Sequence, residues 1–312
     1  MAASFSPKLY LVIAKIETTQ FTDPVPTPAA NAMLVSNLKI TPLKVDTEDR
    51  NLMLPYYGSQ VTIPVNEECM ISFDVEMAAS GTAGTAPAWG PLVRACGMAE
   101  VLVAVTSATY NPISAVFESI TLYCYRNGIL YKFLGCRGTF KLGLTAKKIP
   151  KFSFTFTGKY TPVTDAAIPG GSVFTAFQVP KASIPTWLGT TTFAGVTPLI
   201  ADFQLDIGND IAHVLWMNAE TNDILDRSPK GSMTVQAVTV ATLDYFGLVR
   251  NATQSAFSLV HGTTAGNKTT IAAPKLQLTD VQEVEFNGAL AFQFGTVFTT
   301  NAGNDEVTIA CT

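Results

Sequence analysis

The chain has 312 residues, 47% of them apolar and only 14% charged, with 20 Lys and Arg against 24 Asp and Glu and a net charge of -4. A chain of this kind buries a core in about two domains, is too apolar to be disordered, and lacks the basic excess that grips nucleic acid. With only two histidines, His213 and His261, it is short of the commonest acid–base and metal-binding side chain, so a catalyst is the poorer expectation.

Lys8 precedes an apolar run over residues 9–14 that Lys15 and Glu17 interrupt at once. The run is too short for a signal peptide or a membrane span and is predicted to be a strand. Residues 17–30 place prolines at 24, 26 and 28. This spacing predicts an extended arm that cannot continue a ladder, with Phe21, Pro24 and Pro26 as candidate contacts to another subunit. Residues 47–64 form a second long connection, with Leu52, Leu54, Tyr56 and Tyr57 near its middle. Large apolar side chains in an irregular loop need a cover, from this subunit or a neighbour.

Over residues 70–77, Ile71, Phe73, Val75 and Met77 alternate with Ser72, Asp74 and Glu76. That is the pattern of a half-buried strand. The glycine-rich residues 80–87 lack the Gly-Lys-Ser/Thr ending of a phosphate loop and the spacing of a dinucleotide fingerprint. They lead into a short helix predicted over residues 87–97. Alternation returns over 119–125, 139–144 and 151–157, the last with Phe152, Phe154 and Phe156 on one face. Asn127-Gly128 joins two of these runs as a strong hairpin signal.

A second short helix is predicted over residues 243–251, and it shares a Leu-Val-Arg tripeptide with the first (Leu92, Val93, Arg94; Leu248, Val249, Arg250). Superposing the tripeptides brings 37–40 opposite 202–205, 69–77 opposite 231–240 and 117–122 opposite 256–260. It also brings 140–144 opposite 274–278, and 152–158 opposite 290–295. The repeated order of elements predicts a duplication. Residues 1–33 are then an N-terminal strand and arm, 34–160 a first module, 161–195 a linker rich in turn residues, and 196–312 a second module. One large sandwich is the alternative. Residues 1–160 carry 14 Lys and Arg against 11 Asp and Glu, and residues 161–312 carry 6 against 13. Modules of opposite sign could alternate around a ring with complementary faces.

Chemistry is sparse. Five cysteines (Cys69, Cys96, Cys124, Cys136 and Cys311) fall at irregular spacings with no Cys-x-x-Cys, which suits reduced, buried thiols better than zinc or disulfides. No cofactor is expected. The pairs Asp74 with Glu76 and Glu283 with Glu285 are solvated strand faces rather than acid–base pairs, and His213 and His261 are expected to be structural.

The ordered run of these features resembles the phage tail tube protein family, in the group with a Pro/Ala-rich arm and two tandem tube domains. The residues that carry the resemblance begin with Ala14-Lys15-Ile16-Glu17, Pro24-Val25-Pro26 and Asp49-Arg50-Asn51-Leu52. They continue through Gly90-Pro91-Leu92-Val93-Arg94, Phe117-Glu118-Ser119, Phe154-Thr155-Phe156-Thr157-Gly158 and His261-Gly262-Thr263-Thr264 to Gly303-Asn304-Asp305.

The resemblance implies a mainly β fold of two tandem β-sandwich domains, each with a short flanking helix, closing into a β-lined ring of six domains from three chains. It implies a virion component made in the host bacterial cytoplasm, with no membrane binding by this chain. Its expected partners are further copies of itself, a tape measure protein in the lumen, initiator and terminator proteins at the tube ends, and double-stranded DNA in transit. Ser72, Asp74 and Glu76 are the candidate lumen-facing residues. The rival expectations are a hexameric ring with one tube domain and one decorating domain per chain, and a two-domain β-sandwich that binds carbohydrate or a cell surface.

Overall fold

A computed structural model describes residues 9–312; residues 1–8 of the expected N-terminal segment lie outside the described residues. β1 (Tyr10–Ile16) leads to one helical turn, α1 (Pro28–Asn31), and to the two-residue β2 (Ala32–Met33). β3 (Ser36–Asp49) and β4 (Thr62–Glu76) form a long hairpin. Then come α2 (Gly90–Arg94), β5 (Met98–Val103), β6 (Ser107–Pro112), β7 (Ile120–Arg126), β8 (Ile129–Thr145) and β9 (Lys151–Lys159). The expected linker holds β10 (Thr164–Asp165) and β11 (Thr192–Phe193). The second half runs through β12 (Ile200–Asp206), β13 (Asn209–Leu215), β14 (Glu220–Arg227), β15 (Lys230–Gln236) and α3 (Tyr245–Arg250). It ends with β16 (Gln254–His261), β17 (Thr269–Phe286), β18 (Ala289–Thr299) and β19 (Thr308–Cys311).

Local chemistry accounts for these elements. In β9, and in β4 from Cys69 onward, every second side chain is buried, as the alternation predicts. Asn127 (φ +48°) and Gly128 (φ +101°) both take the left-handed conformation that a two-residue turn between β7 and β8 requires. The first helix is shorter than the predicted 87–97, because after Arg94 the chain tightens into three-residue turns: Cys96 N–H donates to Val93 O and Gly97 N–H to Arg94 O. Asp244 caps α3 by accepting from Gly247 N–H at 2.8 Å. The connection predicted over 47–64 is also shorter, since Thr47, Glu48 and Asp49 pair with Pro64, Ile63 and Thr62 and leave only residues 50–61 irregular.

The fold is mainly β and its pairings are antiparallel. Its spine is one ribbon of eight strands in the hydrogen-bonded order β3-β4-β9-β8-β12-β15-β18-β17. The order within the first four strands is repeated by the second four: first strand, second strand, then a hairpin entered from its far side. β8 and β17 are long enough to leave the ribbon and pair again in a second layer, β8 with β7 and then β1, β17 with β16 and then β11. The halves are not separated by a gap. β8 bonds directly to β12, β19 bridges β17 to β6, and one apolar core runs through both halves. The ribbon does not close, because β3 and β17 remain its outer strands.

Each helix caps the apolar face of its own half. Trp89, just before α2, packs at a tilt on Phe152 with ring centroids 4.8 Å apart, and Tyr245, at the start of α3, packs likewise on Phe294 at 4.9 Å, with Phe292 farther off at 6.1 Å. These contacts set Phe152 against Phe294, whereas the sequence superposition set it against Leu290. An alternating pattern can slide by an even number of residues without changing which face is apolar, so sequence alone does not resolve that register.

Candidate functional site

The ribbon's other face is mostly polar, with Met70 and Val297 as exposed apolar exceptions. Ser72, Asp74 and Glu76 all lie on it, because their neighbours Ile71, Phe73, Val75 and Met77 point into the core. Directly paired residues share a face, so the row through Asp74 continues with Ser153, Lys141, Asp206, Lys230, Val297 and Gln277. The row through Glu76 continues with Lys151, Gly143, Gln204, Ser232 and Gly295. Asp74 accepts from Asn37 Nδ2 at 2.6 Å and from Ser153 Oγ at 2.7 Å. Acidic and basic groups therefore alternate across this face instead of forming a cationic stripe.

Where β8 meets β12, the two halves are joined by a seam that spans residues 141–145 and 202–206. Leu142 faces Leu205 and Leu144 faces Phe203 on the buried side. On the polar side Lys141 Nζ lies 3.0 Å from Asp206 Oδ2, and Thr145 Oγ1 donates to Asp202 Oδ1 at 2.6 Å. Gly143 lets Gln204 lie flat across the seam, since a Cβ there would sit 2.8 Å from Gln204 Oε1. The outer flank of β3 and the matching flank of β17 beyond Gln277 have no such partner among the described residues. Unpaired backbone on long edge strands is a template for another chain.

The β3–β4 hairpin projects beyond the ribbon. Its strands are tied by the Lys44–Glu68 ion pair and by Asn66 Nδ2 donating to Asp46 Oδ2 at 3.0 Å. Its outer part is nonetheless apolar and uncovered: Leu52, Leu54 and Tyr56 are exposed, Met53 and Tyr57 fully so, and Val61, Ile63 and Val65 extend the patch along β4. A patch of this size marks a contact surface rather than ordinary scatter.

The family model for phage tail tube proteins matches residues 9–306, nearly the whole chain. The chain belongs to the phage tail tube protein family. It is thus a structural component of a virion tail. No curated protein matches this tail tube protein.

In the tail tube protein the expected arm lies against its own chain. Glu17, at its root, is buried: Oε1 accepts from Thr121 Oγ1 at 2.6 Å and Gly135 N–H at 2.8 Å, while Oε2 accepts from Ser119 Oγ at 2.6 Å and Phe21 N–H at 3.0 Å. Phe21 (φ +66°) covers Gly135, where a Cβ would come within 2.2 Å of its ring. Pro24 O accepts from Lys15 Nζ at 2.9 Å, and Pro26 is buried. The hairpin tip, with Leu52, Leu54, Tyr56 and Tyr57, is therefore the candidate contact with apolar side chains to spare.

Sequence reasoning missed the β13–β14 hairpin, which clamps the second half onto the first. Asn222 is wholly buried; its Nδ2 donates to Gly135 O at 3.1 Å and to Thr157 O, and its backbone O accepts from Gln20 Nε2 at 2.7 Å and Arg137 at 2.8 Å. Arg137 also pairs with Asp223, and Arg227 with the buried Glu306 at 2.5 Å. The available signal was Gly208 beside the Asp206 end of β12, a break in a strand pattern.

All five cysteines are unpaired and buried, and burial pushes the Cys69 and Cys124 thiols up to about 12 and Cys311 up to about 11. His213 Nε2 lies 2.8 Å from Glu220 Oε1, and His261 is buried. The tryptophans do not gather into a patch: Trp89 is in the core, Trp187 half-buried, and Trp216 exposed at the β13–β14 turn.

Proposed function

We propose that this chain is the repeating subunit of the tail tube, with 34–160 and 196–312 as tandem tube modules joined by 161–195, and with three chains completing each ring. The observation that carries this reading is the eight-strand ribbon, the same four-strand order twice over, whose first and last strands each keep one open flank in a chain of the tail tube family. Closing a ring gives each open flank a partner and removes an aggregation hazard. Three such ribbons make a barrel of about 24 strands; with strands about 4.8 Å apart and tilted about 40°, its backbone circle is roughly 48 Å across. That leaves room for a double helix with water on every side.

The helices cap one face of the ribbon, so the polar face with Ser72, Asp74 and Glu76 lines the bore. Its alternating Asp74, Lys141, Asp206 and Lys230 hold no ladder of cations that would trap phosphates, so DNA slides instead of binding. A tape measure protein occupies the same bore before ejection, and initiator and terminator proteins cover the end rings. The tips bearing Leu52, Leu54, Tyr56 and Tyr57 reach the next ring.

Negative-stain electron microscopy and native mass measurement of the purified chain, alone and with tail-initiation components, test the proposal. Hollow tubes or rings of three chains are expected. Six chains per ring would remove the tandem-module part, and particles of one fixed small size would remove the conduit.

A further inference from the structure

Resting on that reading, we infer that β3 of one chain adds to β17 of a second copy in the register of the internal β8–β12 seam, with Leu38 against Val281 and Lys39 beside Asp280. The internal seam supplies the template. β12 lies on the flank of β8 beyond the stretch paired to β7, and the equivalent flank of β17, beyond the stretch paired to β16, is empty. β12 is the first strand of the second unit, as β3 is of the first.

The helix contacts give the register. Phe152 and Phe294 take the same place under Trp89 and Tyr245. Phe152 pairs with Leu142, while Phe294 lies opposite the bulge Asp280-Val281, of which Val281 packs on the core. Val281 thus corresponds to Leu142, and Asp280 to Lys141. On the other strand, Phe152 pairs with Val75 and Phe294 with Met233. Two residues back along each of those strands, Phe73 lies beside the Asn37-Leu38 bulge and Gly231 pairs with Leu205. Leu38 thus corresponds to Leu205, and Lys39 to Asp206.

The chemistry of these positions agrees with the placement. Leu142 and Leu205 are fully covered at the internal seam, whereas Leu38 and Val281 touch the core but stay half-exposed. The ion pair Lys141–Asp206 returns with its signs exchanged as Asp280 and Lys39, both exposed and both without an ion-pair partner among the described residues. Like strands therefore carry opposite charges at the two seams, which favours the correct neighbour and penalises β3 on a second β8, where Lys39 would face Lys141. Both open strands carry a bulge beside the proposed seam, at Asn37 (φ +54°) and at Asp280 (φ +48°), and β3 shifts register twice more, between Thr41 and Lys44 and between Asp46 and Thr47. A bulge discourages pairing with an arbitrary straight strand.

The test uses full-length protein assembled into rings or tubes and mildly oxidised. The five native cysteines are buried, so the wild type is the blank. The double variant Leu38→Cys with Val281→Cys is expected to give a covalent ladder on a non-reducing gel, ending at the closed ring, and Leu38→Cys with Leu290→Cys none. In parallel, Lys39→Asp and Asp280→Lys should each lower the assembled fraction about tenfold, and combining them should restore it to within about twofold. Tubes that form normally with no crosslink and no charge rescue would overturn the seam and leave the conduit standing. A wild-type chain that forms no ring and gives no crosslink would overturn both.

Discussion

The two hairpins that follow the first strand of each unit occupy the same slot and behave differently. Between β3 and β4 the ladder runs straight past Pro42, with a register shift between Thr41 and Lys44, and ends in the exposed tip at Leu52–Tyr57. Between β12 and β15 it breaks at Ile207-Gly208 and Ser228-Pro229, and β13–β14 folds back onto β8 and β9 of the first half. Gly208 takes φ +63°, and a Cβ there would meet Ser228 O at 2.3 Å. One backbone hinge thus separates a hairpin that locks the chain internally from one that is free to lock it to something else.

The largest expected effect comes from closing that hinge. Gly208→Ala should destabilise the protein by about 2–3 kcal/mol, from left-handed strain and the clash with Ser228 O, and should speed proteolysis within residues 209–227. Urea unfolding and limited proteolysis check it, and an unchanged unfolding midpoint would mean that the hinge does not hold the fold-back. Replacing Leu52, Leu54, Tyr56 and Tyr57 together by Ser should leave folding stability within about 0.5 kcal/mol, since nothing in the chain covers them, while the yield of long tubes by electron microscopy falls sharply. A large loss of stability would instead place the tip inside the chain's own core.

The smallest effect separates the second layers of the two halves. β16 ends on His261 where β7 ends on Arg126. Burial holds the His261 pKa below its ordinary value, against the opposing pull of hydrogen bonding to the backbone at Ala182 and Lys181. The unfolded state therefore takes up a proton first. The stability His261 contributes is fully present above its unfolded pKa of about 6.5 and is lost as pH falls toward the lower folded value. Unfolding midpoints between pH 7 and pH 5 should decline, and less so in His261→Gln; identical slopes would remove His261 as the source.

Much of the local structure was legible. Alternation located β4 and β9 and told which side chains face the core, Asn127-Gly128 located a turn, and both short helices lay within their predicted spans. The polar character of Ser72, Asp74 and Glu76 was readable for the same reason. β13 and β14 were not, because strands clamped by Asn222, Arg137 and Arg227 are half-covered on both sides and show no clean period. The arm was read as reaching outward, yet Glu17 ties its root down through partners more than 100 residues away in sequence.

What the sequence determined by itself is which residues are buried, since an apolar side chain at every second position seeks the same side of any sheet it joins. What the tertiary structure alone decided is which strand lies beside which, and therefore that β8 is satisfied by β12 while β17 and β3 are left waiting. Backbone hydrogen bonds are the same for every residue type but proline, so the choice of neighbour is written in shape and charge across the seam, and these exist only once the strands are side by side.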